Sequence, residues 1–108
     1  MEDYFAILVE RLMECISLSL PEEKIKYIKI LIERNTADLQ EGLASCKVEK
    51  DIKGKFSNYV NKTLSTIEAL GLTQGQYKAV RKLVLNEIYG CQKLHFKSLG
   101  IKVEEDGE

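Results

Sequence analysis

Ala69-Leu70-Gly71-Leu72-Thr73-Gln74-Gly75-Gln76 is the stretch that decides the fold. An apolar helical run stops at Gly71 and a new helix opens after Thr73. Glycine takes the left-handed conformation that closes a helix, and the apolar Leu72 folds back on the last turn. Thr73 followed by Gln76 reads as a capping box, and Leu72 with Tyr77 has the spacing of a hydrophobic staple. Ser98-Leu99-Gly100-Ile101 repeats the stop signal further along the chain.

Working outward, the spacing predicts a helix from about Gln74 to Leu99. One face carries Tyr77, Val80, Val84, Ile88, Cys91 and Leu94 or His95; a second strip, Leu85, Tyr89 and Phe96, points away from it. Upstream, Ile52, Phe56, Tyr59, Val60, Leu64, Ile67 and Leu70 mark a helix, with a charged joint at Lys47–Asp51 before it and Gly54 as a bend or a later start. A helix from Pro21 to Cys46 carries Ile25, Ile28, Ile32, Leu39 and Leu43, widened by Ile30 and Leu31 and broken by the polar Asn35 and Thr36. Gly42 weakens it by up to roughly 1 kcal/mol relative to alanine. Ser19 is its expected cap, with Glu22 completing the box and Pro21 in the first turn. The first helix runs from about Glu2 to Leu18 and aligns Phe5, Leu8, Leu12 and Ile16. No stretch alternates as a strand would. Four helices joined by short connections give an all-α, antiparallel up-down four-helix bundle over residues 1–101. Residues 102–108 read as a short, acidic, disordered tail.

The net charge of −1 is unevenly spread. Residues 1–46 carry five basic and nine acidic side chains, residues 47–102 eleven basic and four acidic, and residues 103–108 four acidic, so the segments stand at −4, +7 and −4. No apolar run approaches the roughly 20 residues of a membrane span. Glu2 and Asp3 stand where a secretory leader carries positive charge. Three widely spaced cysteines, Cys15, Cys46 and Cys91, suit reduced thiols in the cytoplasm better than a disulfide scaffold.

Chemistry is sparse. His95 is the only histidine; Cys91 lies one turn before it and Glu87 one turn before that. An up-down bundle places Cys46 near the same pole, so a metal or thiol site at Cys91 and His95 is one reading. The close-spaced cysteine and histidine pairs of a zinc site are missing, and no histidine follows a glutamate by three residues as a di-iron bundle requires. The expectation is therefore no catalytic residue, no metal and no cofactor. A second reading takes the Gly71 turn as part of a helix-turn-helix, with the basic half (residues 47–102) binding nucleic acid; against it, the helix that follows is long for a recognition helix. The leading expectation is a non-enzymatic cytoplasmic regulator or adaptor that docks on another protein or on a second copy of itself. Its surface would combine Leu85, Tyr89 and Phe96 with Lys78, Arg81 and Lys82.

Overall fold

The computed structural model describes residues 3–18 and 20–101. It contains α1 (Tyr4–Ser17), α2 (Glu22–Leu43), α3 (Glu49–Glu68) and α4 (Gln74–Ser98), with no strand among the described residues. α1 and α3 each pack on both α2 and α4. The pairs run antiparallel: Tyr4 at the start of α1 bonds Ser98 at the end of α4, and Lys24 near the start of α2 reaches the carbonyl of Leu70 just past α3. The chain is an antiparallel up-down four-helix bundle. One pole holds the start of α1, the α2–α3 joint and the end of α4; the other holds the two remaining joints. None of the helices is long and apolar enough to cross a membrane.

The helix ends follow from local chemistry. Asp3 caps α1, its Oδ1 accepting from the amides of Phe5 and Ala6 at 3.1 and 3.2 Å; the expected start at Glu2 lies outside the described residues, as do Ser19 and the tail 102–108. The cap position of α2 is Pro21 itself, extended and without a side-chain bond, so Pro21 precedes the first turn and Glu22 opens the helix. α2 stops at Leu43 rather than Cys46, one residue after Gly42, and Ser45 Oγ and Cys46 Sγ both donate to the Gly42 carbonyl. α3 starts at Glu49, inside the charged joint, and continues through Gly54. Glu49 and Asp51 in its first turn suit the positive end of the helix dipole. The capping box forms at α4: Gln76 N donates to Thr73 Oγ at 3.2 Å and Thr73 N to Gln76 Oε1 at 3.0 Å. Both stop glycines are left-handed, with φ of 76° at Gly71 and 74° at Gly100.

The expected stripes of α1 and most of those of α2 and α3 form the core. Thr36 is no break: it is buried, its Oγ donates to the Ile32 carbonyl at 2.7 Å, and it accepts the Tyr59 hydroxyl at 2.7 Å. Burial pushes the Tyr59 phenol up to about 12, which keeps it protonated as the donor of that bond. Thr63, one turn on, is also buried, and its hydroxyl has no partner of good geometry.

Phe96 corrects the expected outer strip. It is only 2% exposed, whereas Tyr89 is 51% exposed and Leu85 is half-buried against the core. The reason is the second stop signal. Ile101 N donates to the Phe96 carbonyl at 2.9 Å and Gly100 N to the Lys97 carbonyl at 3.1 Å, the paired bonds of a Schellman ending. Such an ending packs the residue after the glycine against the residue five positions earlier, here Ile101 and Phe96. Of the two residues offered for the end of the core face, Leu94 is exposed and His95 is half-buried.

Phe96→Ala is therefore expected to cost about 3–5 kcal/mol, as for a core phenylalanine, and Gly71→Val about 1 kcal/mol or more because valine resists positive φ. Urea unfolding of the two variants checks both values; a near-neutral Phe96→Ala would return that side chain to the surface.

Candidate functional site

Two places on the bundle carry chemistry. The first is the pole where the start of α1 meets the end of α4. Tyr4 Oη lies 2.8 Å from His95 Nδ1 and 3.2 Å from Ser98 Oγ, and Ser98 Oγ donates to the His95 carbonyl at 2.6 Å. One assignment uses every hydrogen: Nδ1–H donates to Tyr4, Tyr4 to Ser98, and Ser98 to the carbonyl. It leaves the imidazole lone pair on Nε2, which is buried without a hydrogen-bond partner. The ring sits among Tyr4, Phe5 and Phe56, with centroids 5.8 to 6.1 Å away. Burial pushes the His95 pKa down, so the ring is neutral at pH 7.

Beside it a cavity of about 500 Å³ opens between α1, the end of α2 and the end of α4, lined by Phe5, Leu43, Cys46, Lys47, His95 and Leu99 among others. The fold thus brings Cys46 and His95 to one cavity. Cys91 lines a different groove, between α1 and α4. Its thiol is pushed up to about 12, by burial first and then by Asp3, so it is protonated at neutral pH and is neither a nucleophile nor a ready metal ligand. Cys15 is raised too, by burial and then by Glu87 and Glu14. Among the described residues no three histidine, cysteine or acidic side chains gather as a metal would need.

The second place is the face made by α3 and α4. Because α1 and α2 form one side of the bundle and α3 and α4 the other, the charge asymmetry along the chain becomes a difference between two faces. Lys78, Arg81, Lys82 and Tyr89 are all exposed on α4, and Leu85 lies half-buried beneath them. Five of the six residues singled out for docking are thus together, and Phe96 is not among them. α3 and α4 run as antiparallel neighbours, and α4 continues unbroken for 25 residues, unlike the short crossing helix of a helix-turn-helix.

The Tyr4–His95 bond has no local signature, since it joins residues 91 apart. The antiparallel order of the first and last helices was the one available pointer to it. No known protein family matches the chain, and neither a curated protein nor a solved structure is significantly similar to it.

The buried neutral His95 makes stability depend on pH. The unfolded chain takes up the proton near the ordinary value of about 6.5, while the folded chain resists it. The contribution is fully present above that value and is lost as pH falls through the lower folded value. Urea midpoints are expected to drop between pH 7.5 and pH 5, and His95→Phe to flatten that slope. Equal slopes in the two proteins would show that His95 is not the responsible group.

Proposed function

We propose that this chain is a small docking protein that works without catalysis, engaging an acidic protein surface through its α3/α4 face. The observation that carries the reading is the exposed Tyr89 set among Lys78, Arg81 and Lys82 on the basic side of the bundle. Tyrosine and arginine are the side chains most enriched at the energetic centres of interfaces, because they bury large area and hold hydrogen bonds at modest entropic cost. The surrounding lysines steer an acidic partner and raise its association rate. Three unlinked thiols, two of them with raised pKa, suit a reducing compartment, and the cytoplasm is the proposed location.

The same basic face supports a second reading, binding of nucleic-acid phosphates. The antiparallel α3–α4 hairpin offers no crossing recognition helix, which favours a protein partner.

Cross-linked capture from the native host distinguishes them. The wild type is expected to enrich one partner, and an Arg81→Glu, Tyr89→Glu variant with an unchanged circular dichroism spectrum to lose at least about tenfold in affinity for it. Capture that the variant retains would remove this face from the function. Capture that nuclease treatment abolishes would make nucleic acid the partner.

A further inference from the structure

The flank of α4 opposite Tyr89 carries a second surface, shared with α1. Side chains on a helix advance by about 100° per residue, so Leu83, Glu87, Gly90 and Leu94 form one stripe of α4. Ile7, Arg11, Glu14 and Leu18 form the matching stripe at the same spacing on α1 and its cap. The groove between the two helices, about 270 Å³, is lined by Ile7, Arg11, Glu87, Gly90 and Leu94 among others, which sets the stripes side by side. Their antiparallel order puts Ile7 beside Leu94 at one end. Continued about one turn past Glu14 and Glu87, it puts Leu18 beside Leu83 at the other. The nearness of Glu87 to Cys15 agrees with that register.

All four apolar corners are exposed, Leu94 at 49% and Leu18 at 84%. The centre is polar. Arg11 and Glu87 line the same groove and form no ion pair with one another among the described residues. Gly90 between them has nothing within 4 Å of the place where a Cβ would stand, so the floor of the groove is open to a side chain from outside.

We propose that a second copy of this chain covers this α1/α4 face, about a two-fold axis parallel to the helices, so that α1 of each protomer lies along α4 of the other. Charge complementarity selects that occupant and that axis. α1 exposes Glu10 and Glu14, and on this side α4 exposes Lys93 and Lys97. Only a two-fold that exchanges the helices sets acidic on basic twice over; a two-fold across the helices would set α1 on α1 and α4 on α4. In this arrangement the corner residues meet their own kind, Ile7 with Leu94 and Leu18 with Leu83. Each Arg11 enters the space left by the Gly90 of the other copy and reaches that copy's Glu87. α1 and α4 run together for about 20 Å, and two helices side by side span about 20 Å. That footprint is below the roughly 800 Å² per partner of a standard interface, which marks the proposed dimer as a weak, reversible one.

The inference is independent of the α3/α4 docking reading, because Tyr89 and Arg81 lie on the other flank. Sedimentation and light scattering over a concentration series test it. The wild type is expected to pass from monomer to dimer, and salt to raise the midpoint. Gly90→Gln fills the groove without a clash inside one chain, and is expected to remain fully helical, at least as heat-resistant as the wild type, and monomeric. Leu94→Asp, at an exposed site, should be monomeric as well. Arg11→Glu should weaken the dimer at least tenfold, and Arg11→Glu with Glu87→Arg should restore it. A wild type that stays monomeric throughout, or a Gly90→Gln variant that still dimerises, would overturn the proposal. Failure of the charge exchange to restore a dimer that Arg11→Glu has weakened would overturn the two-fold register.

Discussion

The packing of the first helix on the last is the constraint on which the rest of this structure depends. α2 and α3 join through a short connection, and so do α3 and α4. α1 reaches α4 only by closing a loop through the whole chain, with the entropic cost that such closure carries. What repays it is burial: Phe5, Leu8, Leu12 and Ile16 on one helix, Val84, Ile88, Cys91 and Phe96 on the other, all withdrawn from water. Without α1, that side of α4 would be wet. The Tyr4, His95 and Ser98 contacts lie at the end of this closure and exist only because of it.

Closure also gives the charge pattern its meaning. Acidic and basic halves of an extended chain would mix and screen one another. In an up-down bundle the halves become opposite sides, and their potentials act outward in different directions. The two surfaces proposed for docking use the two flanks of α4. One flank faces α3 and presents Tyr89 within a basic field. The other faces α1, where acidic and basic helices adjoin, and is therefore complementary to itself.

The polar groups inside the bundle act on specificity. The Thr36 and Tyr59 pair is a directional contact between α2 and α3 in an otherwise apolar core. A slip of one turn between the helices would leave the Tyr59 hydroxyl buried and unpaired, at the cost of desolvation without a bond, while Thr36 would keep its bond to the Ile32 carbonyl. Lys24 does similar work at the opposite pole, its ammonium meeting the Leu70 carbonyl at the negative end of α3.

Much of this fold is legible in local sequence, because its signals act over a few residues. The left-handed glycines at 71 and 100, the Thr73 capping box and the stripe of α1 each depend on neighbours within a turn or two. The burial of Phe96 has a local pointer of the same kind, since a Schellman ending at Gly100 frequently packs the residue after the glycine against the one five positions earlier. By itself the sequence determined the four helices, their order and the division of charge. Tertiary structure decided what no local pattern encodes: that Thr36 finds Tyr59, that Cys46 rather than Cys91 shares a cavity with His95, and that Tyr4 holds the His95 ring. These pairings join residues far apart in the chain, and they follow from the register and rotation of one helix against another. Those are set by the sum of many small apolar contacts rather than by any single residue.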